Sequence, residues 1–135
     1  MQKQLAQVAT FQRAFGQNVE TQPTLINKET AKLRYDLMKE ENEEYLEAVE
    51  NNDLVEVLDA LTDQLYILCG TILEHGMQNI IEKCFEEVNR SNMSKLDEVG
   101  LPIINGENGV FDPTRPLGKV LKSYNYSPPN LKQFL

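Results

Sequence analysis

Asn51-Asn52-Asp53-Leu54-Val55-Glu56-Val57-Leu58-Asp59-Ala60-Leu61-Thr62-Asp63 decides the fold, because a short polar turn here runs straight into an apolar helical pattern. Asp53 stands as an N-cap. From Leu54 to about residue 75 apolar side chains lie nearly all round the helix, including Val57, Leu58, Leu61, Leu65, Ile67, Leu68, Ile72 and Leu73. A helix of that kind belongs at the centre of a bundle. Upstream, Asn27 caps a pattern that runs to about Asn51 with an apolar stripe of Leu37, Met38, Tyr45 and Ala48. Two helices joined by so short a turn pack antiparallel.

Working outward, Leu5, Val8, Phe11 and Phe15 predict a helix over about 2–16, stopped by Gly16. After Gly76, Ile80, Ile81, Cys84, Phe85 and Val88 predict a fourth helix that frays near Ser91 to Lys95. From Gly100 onward breakers recur (Pro102, Gly106, Gly109, Pro113, Pro116, Gly118, Pro128, Pro129), which predicts an irregular tail with a short hairpin at Asn108-Gly109. The expectation is an all-α four-helix bundle with an irregular C-terminal tail. One domain covers 1–135, with a helical core over 1–97 and the tail over 98–135.

Charge is the one large compositional bias. Residues 36–63 hold eleven acids against Lys39 alone, a local charge of −10, so the rest of the chain is +2 against a total of −8. Such a pole repels polynucleotides and anionic membranes and attracts Mg²⁺ or Mn²⁺. The N-terminus lacks a signal peptide's apolar run, and Glu56, Asp59 and Asp63 interrupt the most apolar segment, so the expectation is a cytoplasmic protein with neither a membrane nor a polynucleotide partner. Cys69 and Cys84 read as reduced core cysteines.

Five acids fall against apolar neighbours: Glu40, Glu41 and Glu44 before the turn, Asp59 and Asp63 after it. Carboxylates are almost never buried unpaired, and none of these has a basic mate on its own face. With residues 51 and 52 as pivot, Glu44 faces Asp59 and Glu40 faces Asp63, in layers about 6 Å apart, with Glu41 flanking. The stretch Glu40-Glu41-Asn42-Glu43-Glu44 alone is most simply a solvated face. A second acidic pair at the matching level on an apolar helix turns the balance to a metal site. The same arithmetic about Gly76 brings Asn92 beside Asp59, with Lys95 as a cation at the rim.

At these residues the chain resembles the all-α nucleoside-triphosphate pyrophosphohydrolases, the superfamily of MazG, dimeric dUTPases and phosphoribosyl-ATP pyrophosphohydrolase. Residues 40–44 match its EExxE motif. Asp63-Gln64-Leu65-Tyr66-Ile67-Leu68-Cys69-Gly70, Glu87-Val88-Asn89-Arg90-Ser91-Asn92-Met93-Ser94-Lys95 and Gly118-Lys119-Val120-Leu121-Lys122 are similar to the DxLYxxxG, EVxxxNxSK and GKxLK signatures of a small MazG-like branch. Ala60 departs from the family, standing where the Glu of ExxD is usual when Asp63 is aligned, while Glu56-Val57-Leu58-Asp59 matches literally one turn earlier.

The resemblance implies Mg²⁺, with Mn²⁺ as the alternative, held by Glu41, Glu44, Asp59 and Asp63, with Glu56 the alternative to Asp59. It implies hydrolysis of a nucleoside triphosphate, dUTP and dCTP among the candidates, to monophosphate and pyrophosphate. Glu40 or Glu41 would take the proton of the attacking water. Asn92, Lys95, Lys119 and Lys122 would bind substrate, Arg115 standing between that role and solubility, and Gln12, Phe11 and Tyr66 would meet the base. It also implies homodimers or dimers of dimers with shared sites. Two rivals stand beside this: a helical bundle that binds nucleotides or a protein without turnover, and a pyrophosphohydrolase acting on phosphoribosyl-ATP. A di-iron carboxylate centre fails for want of ligands, since His75 is the only histidine, and a serine or cysteine nucleophile lacks a base for the same reason.

Overall fold

The computed structural model describes residues 1–135. The chain is all-α, with α1 at Gln2–Ala14, α2 at Lys28–Glu50, α3 at Leu54–Glu74 and α4 at Ile81–Met93, and the tail carries one 3₁₀ turn at Leu131–Phe134. No helix is long and apolar enough to cross a membrane. The backbone divides into two compact units, Met1–Ile81 and Glu82–Leu135.

In the first unit both predicted caps form. Asn27 Oδ1 accepts the amide of Thr30 at 2.8 Å, and Asp53 Oδ1 accepts those of Val55 at 3.0 Å and Glu56 at 3.2 Å. Caps of this kind contribute about 1 kcal/mol each. Between α2 and α3 the turn closes with Asn52 in the left-handed region at φ 56° and with the Asp53 amide on Ala48 O. The antiparallel pair is then fixed by bonds across it. Gln64 Nε2 donates to Glu41 O at 3.2 Å, while Arg34 donates from Nε to Thr71 Oγ1 at 3.0 Å and from Nη2 to Ile67 O at 2.6 Å. These bonds fall on both sides of the register that a pivot at 51 and 52 gives: Gln64 and Thr71 lie two positions further along α3 than that pivot places them, and Ile67 two positions short.

α1 lies on the C-terminal half of α3. Leu5, Val8 and Ala9 pack with Cys69, Ile72 and Leu73, and Val19, Met77 and Ile81 close the cluster. Full burial of each large aliphatic side chain contributes about 1.5–3 kcal/mol. Gly76 ends α3 at φ 67°, where a Cβ would meet Gln22 O at 2.1 Å, so only glycine lets the loop before α2 cross there. The stretch of α3 ahead of Cys69 differs from its expected place at a bundle centre: Leu54 is 80% exposed, and Val55, Leu58, Leu61, Leu65 and Leu68 are exposed as well. α2 packs along α3, and Ala48 and Ala60 are small buried residues of these two helices. Both cysteines are free; Cys69 is core and Cys84 half-buried, and burial pushes the Cys69 thiol up.

The second unit is organised by Asn105, which is 1% exposed. Its Nδ2 donates to the carbonyls of Asp112, Arg115 and Pro116 at 3.0, 2.8 and 3.1 Å, and its Oδ1 accepts the Asp112 amide at 2.7 Å. The expected hairpin at Asn108-Gly109 is a turn without a strand ladder. Asn108 and Gly109 take positive φ, and the sole pairing is one antiparallel bridge from Ile104 to Val120. Asn105 holds the intervening chain as a wide loop, which takes the backbone groups a ladder would use. Further on, Glu87 of α4 accepts a fork from Arg90 at 2.8 Å and the Asn130 amide at 2.8 Å.

Two outcomes follow. A Cβ at Gly70 would stand 2.6 Å from Arg34 Nη2. Gly70→Ala should therefore lower stability by about 1–2 kcal/mol by displacing the Arg34 bonds, whereas in an Arg34→Met background it should raise stability by up to about 1 kcal/mol from helix propensity. Denaturant midpoints of the four proteins check the reversal of sign. Second, the Arg90 fork and the Asn130 amide lower the Glu87 carboxyl from 4.5 to about 2. A depressed folded value makes its contribution complete above about 4.5 and lost as pH falls toward about 2. Hydrogen exchange at the Asn130 amide should accelerate over that window, and Glu87→Gln should remove the dependence.

Candidate functional site

The acids of α2 and α3 meet around Glu41. Glu40, Glu44, Asp59 and Asp63 are exposed, while Glu41 is half-buried, with Oε2 enclosed and lacking any hydrogen-bond partner. Burial pushes the Glu41 carboxyl above the ordinary carboxylate range, and Glu44, Asp63, Glu40 and Asp59 push it the same way. All four expected neighbours thus act on one carboxylate, two from its own helix and two from across the hairpin. Their own side chains repel one another, and no three His, Cys, Asp or Glu groups stand close enough to hold a metal ion together. The donor chemistry does fit a hard divalent cation: every group is an oxygen donor, and Glu41 Oε2 is a buried acceptor left unmatched.

The hairpin positions these groups through its backbone. Gln64 bonds the Glu41 carbonyl beside the cluster, a tie that sequence reading passed over because glutamine on a helix has no periodic signature. Ala60, at the family's Glu position, is buried in helix packing and offers no donor. Toward the turn, Glu44 shares a cavity of about 370 Å³ with Glu47, Asn51, Asp53 and Glu56. Glu56, the alternative to Asp59, is therefore brought toward Glu44, and the exposed Glu47 borders the same space.

Of the residues expected to meet a base, Gln12 is 1% exposed and donates from Nε2 to Gly70 O at 3.4 Å, with Oε1 unpartnered. It belongs to the packing between α1 and α3. Phe11 and Tyr66 stand edge-on with centroids 5.7 Å apart, Phe15 lies 4.3 Å from Phe11, and all three keep exposed faces.

The cations sit in the second unit. Lys95, Arg115, Lys119 and Lys122 line a cavity of about 470 Å³ in which Asp112 is the one acid. Asn92 accepts Lys95 Nζ at 2.7 Å, and Lys122 Nζ lies 4.2 Å from the Tyr126 ring centroid. Arg115, undecided from sequence, joins the three lysines because Asn105 gathers the carbonyls of Asp112, Arg115 and Pro116. Thr114 occupies Asp112 with two hydrogen bonds and keeps its carboxyl below the usual range.

The chain has a curated relative in Acanthamoeba polyphaga mimivirus, "Uncharacterized protein L479", to which it is 45% identical over 67 residues. The matched part is 47% of this chain, and the chain spans 27% of that protein. The family model of phosphoribosyl-ATP pyrophosphohydrolase matches residues 8–92, which include α2, α3 and every acid of the cluster. By that match over more than half of its length, the chain belongs to the phosphoribosyl-ATP pyrophosphohydrolase family, within the MazG-like all-α superfamily of pyrophosphohydrolases acting on nucleotide-like substrates.

Proposed function

We propose that the chain hydrolyses a nucleoside triphosphate to the monophosphate and pyrophosphate at the carboxylates around Glu41. The observation that carries this reading is the enclosed, unmatched Glu41 oxygen with Glu40, Glu44, Asp59 and Asp63 all acting on it. Glu41, Glu44, Asp59 and Asp63 would hold Mg²⁺ or Mn²⁺, with Glu56 near enough to Glu44 to enter. The chemistry such an ion supplies is neutralisation of charge developing on phosphate oxygens. Glu40, exposed at the edge of the cluster, or Glu41 would take the proton of the attacking water. Lys95, Lys119, Lys122 and Arg115 bind phosphate oxygens, with Asn92 orienting Lys95. The exposed faces of Phe11 and Tyr66 suit stacking on a base, and Gln12 supports that surface from beneath. Phosphoribosyl-ATP is the second reading, favoured by the description of the matching family.

We also infer a homo-oligomer, dimer or dimer of dimers. Leu54, Val55, Leu58, Leu61, Leu65 and Leu68 leave half of α3 uncovered, an apolar extent that soluble monomers rarely expose.

Pyrophosphate release over a panel of (d)NTPs and phosphoribosyl-ATP with Mg²⁺ should show turnover. Glu41→Gln, Glu44→Gln and Asp63→Asn should each lower it by about 100-fold or more while helical circular dichroism is kept. Full activity in any of these removes that residue from the site, and binding without turnover across the panel selects the non-catalytic bundle. In sedimentation, the wild type should run as a dimer or larger at micromolar concentration and Leu58→Lys should shift it toward monomer. A wild-type monomer would sink the shared-site reading.

A further inference from the structure

At the opposite end of α3 from the acidic cluster lies a second polar cavity, of about 230 Å³, under the connection between α1 and α2. Asn18, Glu20, Ile26, Asn27, Thr30 and Glu74 form most of its wall. Glu74 is eleven residues past Asp63, roughly 16 Å along the helix at ~1.5 Å per residue, so this space is separate from the carboxylates around Glu41.

Glu74 is 6% exposed, yet its carboxylate accepts no hydrogen bond and pairs with no cation at bonding distance. Buried carboxylates are almost never left so. Its surroundings add to the cost. It is the last residue of α3, where the helix carbonyls carry partial negative charge, and Glu20 is a second acid on the same wall. The neighbouring cations are engaged elsewhere: Arg34 bonds Thr71 and Ile67 O, and His75 Nδ1 bonds Thr24 O. Burial raises the Glu74 carboxyl and Glu20 adds to the rise, against the opposing pull of Arg34 and His75.

We propose that this cavity binds a small organic cation, an ammonium or amidinium group on a short stem, with the Glu74 carboxylate as its acceptor. The negative wall selects a cation. The volume, several times the roughly 30 Å³ share of a water, favours an organic group over a bare ion. Two carboxylates are also fewer donors than the six to eight oxygens a calcium cage uses. The donors of an ammonium or amidinium match the Glu74 carboxylate, an acceptor that no group of the chain hydrogen-bonds, whereas Glu20 Oε1 already accepts Asn18 Nδ2 at 2.6 Å.

The full chain, titrated with propylammonium and with acetamidinium at constant ionic strength, tests this by calorimetry and amide chemical shifts. One or both should bind saturably, with shifts confined to Asn18–Thr30 and the end of α3. Glu74→Gln should weaken binding by about tenfold or more, as expected on losing a charge-assisted bond. Glu20→Gln, which keeps the buried carboxylate and serves if Glu74→Gln fails to fold, should weaken it by a smaller factor. Glu43→Gln, with the same change in net charge, should leave it unchanged. The proposal is overturned if neither probe saturates, if K⁺ or Mg²⁺ reproduces the shifts, or if affinity is unaltered in both cavity variants. Pyrophosphate release is read separately, so loss of either result leaves the other standing.

Discussion

The antiparallel hairpin of α2 and α3 is the constraint on which the rest of the molecule's chemistry depends. Helix capping at Asn27 and Asp53 sets where each helix begins, but caps alone do not fix how far one helix slides along the other. Arg34 and Gln64 do, because each reaches a partner on the opposite helix. Arg34 can lie there only because Gly70 has no side chain. An ordinary helix pair gains its stability from an apolar seam; here the buried apolar residues near the turn are the small Ala48 and Ala60, and polar bonds tie the two helices further along. A slip of one residue would turn Asp59 and Asp63 by about 100° and dissolve the cluster around Glu41.

That cluster is held against its own electrostatics. Unit charges about 6 Å apart repel by roughly 3 kcal/mol at an effective dielectric near 20, and by a few tenths when both are exposed on a helix face. Glu40, Glu44, Asp59 and Asp63 are exposed and so lie near the smaller figure, which the packing of α1 on α3 can carry. Glu41 is the exception, since its enclosed oxygen cannot spread its charge into water. Burial first, and then the four neighbouring carboxylates, push the Glu41 carboxyl above the usual carboxylate range. Stability given up at a site in this way is usual where a protein prepares to meet an opposite charge.

The helices were legible because their signals are local. Asn27, Asp53, Gly16 and Gly76 punctuate patterns that the 3.6-residue period makes plain, and the observed boundaries fall within a few residues of them. Glu40, Glu44, Asp59 and Asp63 all act on Glu41, as the hairpin arithmetic expects of neighbours, yet no three of these acids stand close enough to share a metal ion, because exposed like charges spread apart into water. Arg34, Asn105 and Glu74 could not be read, for one reason. Each is a polar residue buried by long-range contacts, and in sequence each looks like surface. Gln12 illustrates the reverse case: a polar residue placed at a binding surface by resemblance proves to be packed between helices. The place of α3 was half right, its end from Cys69 onward forming the core and the leucines ahead of it standing exposed within one chain.

Charge separates cleanly between the two units. Met1–Ile81 holds fourteen acids and six bases, the whole of the net −8, whereas Glu82–Leu135 holds seven of each. A polyphosphate substrate carries several negative charges and is repelled by the first unit as a whole. On the proposed function, phosphoanhydride chemistry at Glu41 would require a positive charge brought in with the substrate, and a divalent cation travelling on the phosphates would meet that requirement with the oxygen donors of the cluster. An acidic site for an acidic substrate is consistent on those terms, and on those terms alone.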